Sequence, residues 1–102
     1  VDTAPARPWT KFYSVGMRHT IDEAPHPNLA AMVRSVARTY GTKTAFSLCL
    51  PTGMGGSLTY ADIDRLSDDF AVYLREVLKL EAGARVALQT PNALAFPIVA
   101  FG

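Results

Sequence analysis

A chain of 102 residues has room for one small domain. Hydrophobic residues make up 49% and charged residues 19%, the balance of a folding chain and not of a disordered one. Ten Lys/Arg against nine Asp/Glu leave a formal charge of +1, without the basic surplus that a dedicated nucleic-acid binder carries. The single cysteine, Cys49, excludes an internal disulfide framework and Cys-cluster zinc sites. No apolar run approaches the roughly 20 residues that span a bilayer, and no signal-peptide pattern opens the chain. The class expected is a soluble, cytosolic polypeptide.

The ends suggest an incomplete unit. The chain begins at Val1, and Pro91 to Gly102 is apolar almost to the last residue. Termini are usually polar and solvated, so such an ending reads as a segment that expects cover.

Residues 1–27 hold most of the prolines (Pro5, Pro8, Pro25 and Pro27), three aromatics (Trp9, Phe12 and Tyr13) and both histidines. Proline fixes φ and removes a donor, so this stretch reads as an extended arm and not a helix. Three aromatics on such an arm need a surface to lie on.

From Asn28 the pattern is helical. Leu29, Met32, Val33, Val36, Ala37 and Tyr40 recur at spacings of three and four, with Asn28 as N-cap and Gly41 as the expected left-handed C-terminal residue. Residues 44–50 alternate like a strand, Pro51–Gly56 reads as a turn, and residues 57–59 supply a return strand. A second helix opens at Thr59, with Asp62 at capping-box spacing and a stripe of Ile63, Leu66, Phe70, Leu74 and Val77/Leu78. Gly83 punctuates, residues 85–89 read as a third strand buried on both faces, and Asn92 caps the start of a last helix. The helix between the second and third strands suits a crossover in an α/β sheet.

None of the candidate chemical motifs outweighs its structural explanation. Residues 52–57 are glycine-rich, but no lysine follows and the next element is a strand, so a hairpin tip is favoured over a phosphate cradle. His19 and His26, with Asp22 and Glu23 between them, lack the fixed supporting groups that a metal site needs. Asp62, Asp64, Asp68 and Asp69 complement the positive end of a helix dipole. Cys49 reads as a buried structural thiol. Arg34, Arg38 and Lys43 read as a solvated face.

In order, these segments resemble the start of an acyl-adenylate-forming synthetase, specifically the bacterial long-chain fatty-acid–CoA ligase branch. Pro8 to Gly16 is similar to a Trp-x-Lys-x-Tyr-x-x-Gly leader, followed by Ile21-Asp22. Asn28 to Gly41 resembles the first helix, and Thr44-Ala45-Phe46 stands in place of Pro-Ala-Phe. Leu58-Thr59-Tyr60-Ala61-Asp62-Ile63-Asp64-Arg65-Leu66-Ser67 matches a Leu-Thr-Tyr-x-Glu-Leu-x-x-x-Ser signature, with Asp62 replacing glutamate. Ala82 to Asn92 is similar to Gly-Asp-Arg-Val-Ala-x-x-x-Pro-Asn, with Ala84 where Asp is common. Pro97 to Gly102 resembles a helix that runs on into a Leu-x-Ala-Gly turn. The 51–56 hairpin is longer than usual for the family.

The resemblance implies an ATP- and Mg²⁺-dependent parent enzyme that forms an acyl-adenylate, releases pyrophosphate, then transfers the acyl group to coenzyme A with release of AMP. It places every catalytic, cofactor-binding and metal-binding element downstream of Gly102, so no such residue is assigned within this chain and the piece itself is expected to be inactive. The fold expected is α/β, a partial N-terminal subdomain: an arm over 1–27 and an incomplete portion of the large domain over 28–102. Trp9, Phe12 and Tyr13 are the candidate subunit-contact arm. The partners implied are the remainder of the parent chain and a second copy held through that arm. The location implied is cytoplasmic, with peripheral membrane contact open to the parent. A sister adenylating enzyme (aryl or short-chain acyl-CoA ligase, or a carrier-loading domain) and a free-standing interaction module remain the alternatives.

Overall fold

The computed structural model describes Arg7–Gly102; Val1–Ala6 of the expected arm lie outside the described residues. The class is mixed α/β, with helices packed on one antiparallel hairpin. Its details depart from expectation where long-range pairing would be needed.

The first element is a 3-10 helix, Pro8–Phe12, where the sequence suggested only extended chain. Pro8 occupies its first turn, where a missing N–H costs nothing, and the Arg7 carbonyl accepts from the Thr10 amide at 3.1 Å. This turn packs against no other element among the described residues.

Helix α1, Leu29–Tyr40, starts as expected: Asn28 is extended, and its Oδ1 accepts from the Ala31 amide at 2.8 Å. The apolar stripe is present, with Ala37 buried and Val33 and Val36 half-buried, while Leu29 and Tyr40 stay exposed. Gly41 departs from expectation. It is right-handed (φ −45°, ψ −42°). The chain leaves α1 through a turn closed by the Lys43 amide on the Tyr40 carbonyl at 2.8 Å. The freed Gly41 and Lys43 carbonyls accept from the Ala61 and Tyr60 amides, both at 3.1 Å. Those amides are the first orphan donors of the next helix, so tertiary bonding takes over the work of a left-handed cap.

Strands β1 (Thr44–Cys49) and β2 (Gly55–Thr59) pair antiparallel, Cys49 opposite Gly55 and Phe46 opposite Leu58, with a bulge between Thr44 and Phe46. The connection is tighter than the expected loop over 51–56, because Gly55 and Gly56 belong to β2. The Gly53 amide donates to the Leu50 carbonyl at 2.9 Å and the Leu50 amide to the Met54 carbonyl at 2.8 Å. This is a three-residue loop with Pro51 pre-set for the turn and Gly53 left-handed (φ 81°). Gly55 is required for a different reason: a Cβ there would stand 2.5 Å from the Leu48 carbonyl oxygen.

Helix α2, Tyr60–Val72, continues into a π-helical turn, Tyr73–Val77. Lys79 then takes a left-handed conformation (φ 54°), and the Leu80 amide reaches back to the Leu74 carbonyl at 3.1 Å. This is a widened form of the usual helix-ending motif, with lysine in the place glycine favours. Helix α3, Ala95–Phe101, lies against α2. Asn92 does not cap it: Leu94 holds the N-cap position without a side-chain bond, and the Phe96 amide bonds to the Ala93 carbonyl at 3.1 Å. Pro97 sits in its first turn, where its missing donor is tolerated, and is buried.

The expected third strand is not formed. Among the described residues Arg85–Gln89 makes no backbone–backbone hydrogen bond, and Val86 is 52% exposed. A strand exists only as one side of a ladder, and β2 is already paired with β1 on one edge without recruiting this segment on the other. The fully closed core is correspondingly small. Ile63 (3% exposed), Ala37, Ser67 and Pro97 are buried where α1, α2 and α3 meet. The radius of gyration is 19.0 Å, against about 13 Å for a compact chain of this length.

Candidate functional site

The segment with the most specific sequence pattern, Leu58–Ser67, lies at the junction of β2 and α2. Thr59 ends the strand with extended backbone and becomes the N-cap of α2. Its Oγ1 accepts from the Asp62 amide at 3.1 Å, and the Asp62 carboxylate accepts from the Thr59 amide at 3.0 Å. The Thr59 hydroxyl also donates to Asp62 Oδ2 at 2.8 Å. The shorter aspartate thus completes a capping box in the glutamate position. With Gly41 and Lys43 receiving the Ala61 and Tyr60 amides, the first three N–H groups of α2 all have partners.

The electrostatics follow from those bonds. The Thr59 backbone amide, reinforced by the Thr59 hydroxyl and by Arg65, holds the Asp62 carboxyl below the usual aspartate range. Arg65 lies 3.6 Å from Asp62 and 3.7 Å from Asp69, bridging successive turns of the helix. Asp68 pairs with Arg34 across α1 and α2 at 3.2 Å. The acidic cluster is therefore spread over a cap, an interhelix pair and a surface pair. Asp62 and Asp69 share Arg65, and among the described residues no three carboxylates come together.

Packing below the box is apolar. Ile63 points into the interior, and Ser67 is buried with its hydroxyl donating to the Asp64 carbonyl at 3.0 Å. The Tyr60 and Tyr40 rings lie 6.2 Å apart, and the Lys43 ammonium sits 5.1 Å from the Tyr40 ring centre. A cavity of about 210 Å³ opens between Met32, Val33 and Val36 of α1, Phe46 of β1, Ile63 and Phe101. A second, of about 300 Å³, lies at the end of α2 among Leu74, Leu80, Ala84 and Val86. An open, mixed polar and apolar hollow borders the junction itself, lined by Arg38, Thr39, Thr42, Thr59 and Asp62, while the cavity under Ile63 is lined by apolar and aromatic side chains. The chemistry of this arrangement is to fix the angle between hairpin and helix.

The other candidate residues are scattered. Trp9 and Phe12 are exposed on the 3-10 turn and Tyr13 follows it, with its ring edge-on to His19 at 5.6 Å. Asp22 pairs with Arg18. Among the described residues no group of three or more His, Cys, Asp or Glu side chains comes together. The glycine-rich 52–57 stretch is the hairpin tip and the start of β2. Cys49 departs from expectation: it is exposed at the end of β1. Strand position alone does not bury it. Among the described residues no helix is long and apolar enough to cross a membrane.

Sequence signals could have found Lys79 only indirectly. A lysine in a left-handed turn is unexpected, but it stands directly after the last apolar position of the stripe, Val77/Leu78, where a helix ends.

Comparison with known proteins adds an outside view of the same segments. The family description "AMP-binding enzyme" matches residues 33–102. A long-chain-fatty-acid–CoA ligase of Yersinia pestis is 35% identical over 94 residues, covering 92% of this chain and 16% of that protein. Proteins of the same name from Haemophilus influenzae and Salmonella typhimurium are 32% and 31% identical over 94 residues, with the same coverage. The chain thus spans about 16% of the length of the curated relatives it matches. No solved structure matches it.

Proposed function

The chain belongs to the AMP-binding enzyme family, and we propose that it forms the N-terminal part of the large domain of an ATP-dependent long-chain fatty-acid–CoA ligase. The observation that carries this reading is the 35% identity across 92% of the chain to a protein of that name. The parent would join a fatty carboxylate to the α-phosphate of ATP with loss of pyrophosphate. Coenzyme A thiol would then displace AMP.

The contribution of this piece is architectural. The Thr59–Asp62 box, the Gly41 and Lys43 carbonyls and the Arg34–Asp68 pair hold α1, the hairpin and α2 in one arrangement. Each of these polar groups is occupied in holding another part of the chain, so none is assigned a catalytic, nucleotide-binding or metal-binding role. The partner proposed for the open apolar faces is the remainder of the parent chain. Trp9, Phe12 and Tyr13 are proposed to contact a second subunit. A cytoplasmic enzyme, touching the membrane at most peripherally, fits this reading.

A free-standing interaction module would have its last strand already paired, and Arg85–Gln89 is not paired. The test is activity of the full-length enzyme with ATP, Mg²⁺ and coenzyme A. Palmitate-dependent release of AMP and pyrophosphate is expected. Turnover restricted to coumarate or acetate would move the chain to a sister adenylating enzyme. The absence of any acid-dependent AMP release would overturn the ligase reading. The isolated chain is expected to give no heat of ATP binding in calorimetry.

A further inference from the structure

We draw no further inference here: the strongest candidate, the Arg85–Gln89 segment with its unpaired backbone beside the cavity at the end of α2, is an open edge for which nothing in the structure shows what covers it.

Discussion

Strand β1 and the Arg85–Gln89 segment are both short and strand-like in sequence, yet one is paired and the other is not. β1 meets its partner across a three-residue loop that its own sequence closes, with Pro51 and Gly53 in the positions such a turn requires. Arg85–Gln89 has no neighbour within hairpin reach. Any partner must come from far along a chain or from another molecule, and the entropy of closing a long loop must then be met by the contacts formed. The contrast extends to the helices. α1 and α2 carry their own caps, and the 3-10 turn near the N-terminus carries its own closing bond, but among the described residues the turn packs on no other element. Local chemistry makes the elements, and among the described residues the buried side chains lie on α1, α2 and α3, which meet one another.

Substitutions should separate the two regions. The largest effect is expected at Ile63, a large apolar side chain only 3% exposed. Ile63→Ala should destabilise the chain by about 2–5 kcal/mol, toward the lower end because a cavity already adjoins the site. Urea denaturation followed by far-UV circular dichroism would measure it. A loss below about 0.5 kcal/mol would mean that the helices do not share a core.

Thr59→Ala should cost about 1 kcal/mol in the same assay, because it removes one arm of the capping box and strands the Asp62 amide. The box also predicts a pH dependence. The Asp62 carboxyl is lowered in the folded chain, chiefly by the Thr59 amide, so its contribution is fully present above the ordinary aspartate value of about 3.9. That contribution is lost as pH falls through the lowered folded value. Stability profiles from about pH 6 to pH 2 should therefore fall more steeply for the native chain than for Asp62→Asn. Parallel profiles would remove the carboxylate from the account.

Lys79→Gly should raise stability by several tenths to about 1 kcal/mol, since glycine occupies the left-handed region without the Cβ penalty. The smallest effect belongs to the open segment. Val86→Ala in the chain by itself should stay within about 0.5 kcal/mol, because Val86 is already half in solvent. A cost like that of Ile63→Ala would show that Arg85–Gln89 is packed after all.

Much of the local structure was legible in the sequence. Asn28, the Thr59–Asp62 spacing and the three-four periodicity of Val33, Val36 and Ala37 act within a few residues, and each does what its spacing says. The hairpin was legible for the same reason, though its loop closed earlier than composition suggested, because Gly55 and Gly56 could pair with Cys49 and Leu48. What was not legible depended on distant groups. Gly41 stays right-handed because the start of α2 takes its carbonyl. Cys49 is exposed because, among the described residues, no element packs over that end of the hairpin. Asn92 leaves the capping position to Leu94, and residues 85–89 remain unpaired. The Leu58–Ser67 pattern was also legible, and its geometry gives it a structural meaning: its threonine and aspartate cap a helix, and its isoleucine and serine are buried.

Amide hydrogen exchange, read residue by residue on this chain alone and within the full-length enzyme, separates the self-sufficient helices and hairpin from the open segment. The account predicts slow exchange in α1, α2 and the hairpin of both samples. The Arg85–Gln89 amides should exchange fast in the chain alone and be strongly protected in the full-length enzyme, whose remaining chain is the partner proposed for the open apolar faces. Protection of Arg85–Gln89 in the isolated chain equal to that of α2, or free exchange there in the full-length enzyme, would contradict it.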